Sequence, residues 1–368
     1  MKNTLLFLII LTTIILQSCK ANKDSQYRNK IVGEWKFTRS KNLKQTRYEQ
    51  NVPPPPPWGN VKEGFSLADD GTFESMLGFI DRESESRIFL GFTTRYEVKN
   101  DSLIIFIPKQ RCRQTYKIAS ITNDSLYLQT KDSFLHVYSK SHYFLNPKEH
   151  YNKIIISSSI SFYPFRNISI SDNGDIIYGT SDSLFSAQIT KTQFSLIENN
   201  FKKTSIPLLK EHYCVDGFDY EAISISFIRG NKIFKTITDS GWASPTEVYW
   251  AFLRVAHLQD HLILKPFYTK MPIVILNDTE FHTKHTFCRL TQSENFLLTT
   301  ELLRAKEAHK THNLIYVLSY YDIKKNEKRK IKTDGEDFEI DGKIYDLGYN
   351  FLNRNNLTSK LRKKGVLY

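Results

Sequence analysis

The stretch RYEVKNDSLIIFIPKQRCRQTYKIASITNDSLYLQTKDSFLHVYS, Arg95 to Ser139, decides the fold of the N-terminal part of the chain. Five short segments follow one another in it: Arg95–Val98, Ser102–Ile107, Thr115–Ile121, Ser125–Thr130 and Phe134–Ser139. They are rich in β-branched and aromatic residues, which suit a pleated, half-buried surface. Asn100-Asp101 and Asn123-Asp124 punctuate them, and both residue types favour turns. Closely spaced strands joined by polar turns predict an antiparallel barrel or sandwich. Upstream, Phe65-Ser66-Leu67 and Phe73 flank Asp69-Asp70-Gly71-Thr72, an Asp-Gly hairpin signal. Ile31-Val32-Gly33-Glu34-Trp35-Lys36-Phe37 reads as the opening strand. Between these two, Pro53 to Pro57 precede Trp58-Gly59. Proline offers no backbone donor, so this run is a stiff polyproline loop rather than an inner strand.

Taken in order, Gly33-Glu34-Trp35-Lys36-Phe37, Phe65 with Asp70-Gly71-Thr72-Phe73, Tyr96 with Asp101-Ser102-Leu103, and Tyr116 with Asp124-Ser125-Leu126 form a series. The series resembles the lipocalin-like domain found in bacterial lipoproteins. The resemblance covers residues 30–143 and implies an antiparallel β-barrel with Trp35 closing one end. A barrel of about eight strands is filled by side chains or holds one small ligand. Trp35 and Trp58 are the candidate ligand-binding residues, Trp58 because an aromatic beside polyproline suits recognition. The proline insertion departs from the family pattern at the barrel's mouth.

Beyond Asn146-Pro147-Lys148-Glu149, read as a linker, the pattern changes. Ile154-Ile155-Ile156 and Asn167 to Ser171 read as strands, with Ile176-Ile177-Tyr178-Gly179 returning over the turn Asp172-Asn173-Gly174-Asp175. Thr190 to Lys202 is predicted helical with Thr192 as its cap, since Phe194, Ile197 and Phe201 share one face. Ala222–Phe227 and Lys232–Thr238 form a hairpin. A second helix starts at Ser244-Pro245-Thr246-Glu247 and runs to Leu258, with proline at its first position. This order resembles an uncharacterised α+β domain of bacterial envelope proteins, over residues 150–264. The carrying residues are Ile168, Ile170, Asn173-Gly174, Ile176-Ile177-Tyr178 and Thr238-Asp239-Ser240-Gly241. Tyr163-Pro164-Phe165-Arg166 stands where that family has a cysteine-proline-x-tyrosine element, and no established chemistry accompanies the resemblance. Residues 265–368 continue in the same texture, as an extension or a third small domain, with a helix over Ser293–Ala308 and paired strands after it. The expected fold class is therefore α+β and strand-rich. It has an N-terminal lipocalin-like antiparallel β-barrel and a C-terminal α+β region of antiparallel strands with two or three helices.

The N-terminus reads as a targeting segment. Lys2 precedes an apolar run from Leu5 to Leu16, then Leu16-Gln17-Ser18-Cys19. A basic start, a short apolar core and small residues before a cut mark a secretory signal, too short to span a bilayer. The cysteine at the cut resembles the lipobox of bacterial lipoproteins, in which cleavage precedes a lipid-modified cysteine. Residues 1–18 are then a signal peptide, Cys19 the lipidation site, and 19–29 a polar tether. Two or more acyl chains anchor a protein stably. Lys20 rather than aspartate after the cysteine favours the outer membrane by resemblance to lipoprotein sorting.

The net charge of +12 is scattered, densest over Lys324–Lys332 and Lys360–Lys364, and reads as a solvated hairpin tip and tail rather than a nucleic-acid surface. Apart from Cys19, three cysteines remain, Cys112, Cys214 and Cys288, so at most one disulfide forms, and no C-x-x-C suggests zinc or redox chemistry. His257-Leu258-Gln259-Asp260-His261 places two histidines at i and i+4, but Leu258 stands where a zinc protease needs its glutamate. His282 with His285 and His309 with His312 are similar weak pairs. Asp69-Asp70 and Asp216 with Asp219 suit turns. No nucleophile elbow, Walker loop or dinucleotide fingerprint is present. No catalytic residue, metal ligand or cofactor is therefore assigned. The expectation is a membrane-anchored envelope lipoprotein of non-enzymatic role, binding a small hydrophobic ligand, an envelope protein or a glycan through the barrel. Two alternatives stand beside it: an envelope hydrolase whose histidines and acids meet only in the fold, and a structural docking module.

Overall fold

The computed structural model describes residues 26–44, 62–80, 88–89, 93–107, 112–146, 148–160, 163–215, 221–268, 276–309, 313–322 and 325–363. The chain divides into two compact units, one ending at Tyr143 and the other beginning at Phe144. Among the described residues, no helix is long and apolar enough to cross a membrane.

The first unit is a closed eight-stranded antiparallel barrel. Its strands are β1 (Gly33–Asn42), β2 (Gly64–Leu67), β3 (Thr72–Ser75), β4 (Thr93–Lys99), β5 (Ser102–Ile107), β6 (Cys112–Ile121), β7 (Ser125–Gln129) and β8 (Phe134–Lys140). Each pairs with its neighbour in sequence, and β8 closes on β1 with Trp35 opposite Lys140 and Phe37 opposite Tyr138. Closure leaves no free edge. The Asp-Gly turn forms between β2 and β3, where Asp70 Oδ1 accepts the Thr72 amide at 2.9 Å. Inward positions alternate along the strands, as the period of two demands, and collect Phe65, Leu67, Leu103, Ile105, Leu126 and Leu128 into one core.

Residues 26–31 form a short helix, α1, ahead of β1, so the end of the stretch read as a tether is helical. Its Ile31 is fully buried in the barrel core and Tyr27 packs against it.

The second unit has two eight-stranded sheets. The first contains β9 (Lys153–Ile160), β10 (Tyr163–Ser171), β11 (Asp175–Gly179), β12 (Leu184–Gln188), β13 (His212–Cys214), β14 (Ala222–Arg229), β15 (Lys232–Ser240) and β16 (Lys265–Pro266), in the order β13-β15-β14-β9-β10-β11-β12-β16. β13 alone of these runs parallel to its neighbour. The other contains β17 (Glu280–His282), β18 (Thr286–Arg289), β19 (Lys306–Ala308), β20 (Tyr316–Asp322), β21 (Glu327–Thr333), β22 (Asp337–Ile340), β23 (Lys343–Asp346) and β24 (Arg362–Lys363). Gly174 turns the chain between β10 and β11 at φ +93°, and a side chain there would run into the Ile189 carbonyl.

Helices α2 (Lys191–Lys202), α3 (Thr246–Ala256) and α4 (Gln292–Leu302) are each about three turns, and α5 (Phe351–Arg354) is one. Their ends differ from the sequence expectation in three places. Thr190 rather than Thr192 caps α2, closing a capping box with Gln193. Pro245 is the cap of α3, not its first residue, and the chain after Ala256 tightens into a 3-10 turn, Leu258–His261. The helix expected over Ser293–Ala308 stops at Leu302, because Lys306–Ala308 pairs with β23 and tertiary pairing overrides helical propensity.

The two faces of the first sheet differ in chemistry. Phe227 meets Phe201 of α2 at 5.3 Å between ring centroids, so the Ile223, Ile225 and Phe227 side of β14 faces that helix. The alternate residues Ser224 and Ser226 bond Ser293 of α4 at 2.6 and 2.7 Å. On its other side α4 meets the second sheet. One core takes in Ile155 and Ile177, then Phe296 and Leu298 of α4, then Phe281, Leu318 and Phe338. A helix enclosed between two sheets is buried all round. Its buried polar residues must then find partners. Glu294, fully buried, accepts the Thr291 amide at 2.9 Å, the Thr236 hydroxyl at 3.0 Å and Lys360 Nζ at 2.8 Å.

Candidate functional site

Trp35 is fully buried in the barrel core, and its indole N–H donates to the Ile31 carbonyl at 2.7 Å, tying α1 to the barrel. Lys140 Nζ sits 5.2 Å from the Trp35 ring centroid and donates to the Lys30 carbonyl at 3.1 Å. Gly33, two residues earlier, has φ +138°, and a Cβ there would collide with the Lys140 side chain. The G-x-W spacing thus has a mechanical cause: the glycine lets Lys140 cross over to the tryptophan.

The barrel holds a cavity of about 490 Å³, within the range of small-molecule pockets. Rings from four barrel strands and from the short strand Phe79–Ile80, which pairs with Ile88–Phe89, line it: Phe65, Phe73, Phe79, Tyr116 and Tyr138. Phe65 stacks on Phe73 at 5.6 Å and meets Tyr138 edge-on at 4.9 Å, while Phe79 lies 6.1 Å from Phe73. Such spacings fall within the attractive range for aromatic pairs. Three polar groups interrupt the apolar wall: Glu63, Ser75 and Gln114. Burial pushes the phenols of Tyr138 and Tyr116 up, and the Glu63 charge adds to both. Both phenols therefore stay protonated near neutral pH and remain hydrogen-bond donors. The arrangement suits reversible binding of an apolar body with one polar group that meets Glu63, Gln114 or a phenol.

Cys19 and Trp58 lie outside the described residues, as do the polyproline run, Asp216, Asp219 and His312. The other candidates do not converge. His257 caps the end of α3 and bonds Asp260 at 3.1 Å, so it and His261 share no helix face. His282 bonds Ser319 at 2.9 Å and Glu280 at 3.2 Å. Among the described residues, no three histidine, cysteine or acidic side chains group as a metal site. Among the described residues, Cys112, Cys214 and Cys288 form no disulfide. Cys112 and Cys214 are exposed, and burial pushes the Cys288 thiol up to about 11.

Sequence reasoning did not single out Glu63, Gln114, Tyr116 or Tyr138 as site residues. The usable signal was alternation: Gln114 and Tyr116 on β6, and His136 and Tyr138 on β8, occupy the same side of their strands. The chain matches no protein-family model, and no curated protein matches it.

Proposed function

We propose that this protein is a lipid-anchored envelope protein whose lipocalin-like barrel binds a small apolar molecule carrying one polar group. The aromatic cavity carries the reading. It is about the right volume, and it is walled by rings from several strands. Native mass spectrometry of the full-length protein from its own host, before and after denaturation, tests it. The expected spectrum shows an organic adduct that denaturation removes. A bare mass under native conditions contradicts the reading.

The N-terminal segment supports anchoring at Cys19 in the outer membrane. Cys19→Ser removes the acyl acceptor, so the variant is expected to leave the membrane fraction in its host. Retention there sinks the lipid-anchor reading.

A further inference from the structure

We propose that the cleft at the N-terminal end of α4 is a second ligand site, for a small neutral molecule that carries an amide beside hydroxyl groups, as an N-acetylated sugar does. The cleft has a volume of about 510 Å³, which is ample for a monosaccharide. The edge strand β13, the adjoining ends of β14 and β15, the first turn of α4 and the Asp278–Arg289 pair enclose it.

Its polar groups are unusually free. Asn295 lines the cleft and is only 3% exposed, yet its Oδ1 has no hydrogen-bond partner among the described residues. Gln292, one turn earlier on the same helix, donates from Nε2 to Ser159 Oγ at 2.9 Å, and its own buried Oε1 is likewise unpartnered. His212 stands at the cleft's rim, its Nδ1 2.8 Å from Thr238 Oγ1. A buried, unpaired amide oxygen is costly, and native structures hold few of them. Two on one helix face, in a cleft of ligand size, point to a partner rich in N–H and O–H donors.

Charge narrows the class to neutral molecules. The first turn of α4 already has its own anion: Glu294 is fully buried and bonds the Thr291 amide, and Ser293 N donates to Ser224 Oγ at 3.3 Å. An anion in the cleft would find the Arg289 guanidinium already paired with Asp278. A cation would find no free acid either, since Asp278 is paired with Arg289 and Asp239 accepts the amides of Ala243 and Ser244 at 2.8 and 3.0 Å. Ala222 and Leu290 supply an apolar wall for a methyl group and for ring C–H atoms. An acetamido group satisfies the Asn295 amide from both sides, by donating to Oδ1 and accepting from Nδ2, and a sugar hydroxyl donates to Gln292 Oε1.

The test is calorimetric titration of the full-length protein with three probes: N-acetylglucosamine, glucose and N-acetylglycinamide. The expected order is N-acetylglucosamine at least tenfold tighter than either of the others. Asn295→Ala is expected to weaken its binding at least tenfold while leaving the thermal midpoint unchanged or higher, because it deletes an unpaired buried group and installs the best helix former. Ser240→Ala, at a less buried position of the same wall, is expected to weaken binding a few-fold. Four results each overturn the proposal: no saturable binding of N-acetylglucosamine, equal binding of glucose or of the simple amide, unchanged affinity in both variants, or a fall in midpoint for Asn295→Ala, which would make that amide a structural one.

Discussion

Trp35→Ala is expected to destabilise the barrel by about 3–5 kcal/mol, the usual cost of truncating a fully buried large aromatic. Three losses combine. The ring leaves a cavity among Ile31, Leu67, Leu103 and Leu126. The Ile31 carbonyl loses the indole donor that ties α1 to the barrel. Lys140 loses the ring beneath it. For a unit of this size the thermal midpoint should fall by more than about 10 °C. Hydrogen exchange should show barrel amides opening sooner while those of the second unit stay protected. The same variant decides what Trp35 does. A tryptophan that touches ligand would, on removal, weaken binding and leave stability nearly intact. A structural plug does the reverse.

Lys360→Met carries the second large effect, in the other unit. Glu294 is fully buried, and Lys360, 2.8 Å away and itself 39% exposed, is its only cationic partner among the described residues. Removing the lysine leaves a buried carboxylate without its cation. The expected loss is about 3 kcal/mol, at the low end of the range for such pairs, because the Thr236 hydroxyl and the Thr291 amide still bond the carboxylate. Urea unfolding followed by exchange of the α4 amides reads it. The double variant with Glu294→Gln should recover more than half of the loss, since a neutral amide keeps the shape and carries no charge. A single-variant loss under about 0.5 kcal/mol, the scale of an exposed pair, contradicts this account of the helix terminus.

Much of the barrel is legible in the chain because its signals are local. The Asp70-Gly71 turn, the alternation through Ser102–Ile107 and Ser125–Gln129, and the spacing of Gly33 and Trp35 each act within a few residues. The short helix over 26–31 escapes such a reading, since its residues are mostly polar and contacts from outside the helix hold it in place: burial of Ile31, packing of Tyr27, and the Trp35 and Lys140 bonds to its carbonyls. The helix α4 is misread at its far end for a related reason. Leu303 and Ala305 continue a helical pattern, and only pairing with β23 makes a strand of Lys306–Ala308. The sites are less legible than the folds. Phe65, Tyr116 and Tyr138 belong to different strands and meet only when the barrel closes. Ser293, Glu294 and Asn295 are polar residues at the start of the expected helix. They are buried because two sheets enclose the helix, which no local pattern records.

The most direct test of the barrel as a binding site is titration of the full-length protein with N-phenyl-1-naphthylamine, an uncharged apolar fluorophore. The account predicts a saturable rise in fluorescence with a dissociation constant of about micromolar order, typical of a probe this size in an apolar pocket. It also predicts at least a tenfold loss of affinity in Ser75→Trp, which fills the cavity from its own wall. A signal that does not saturate, or one that Ser75→Trp leaves unchanged, would contradict it.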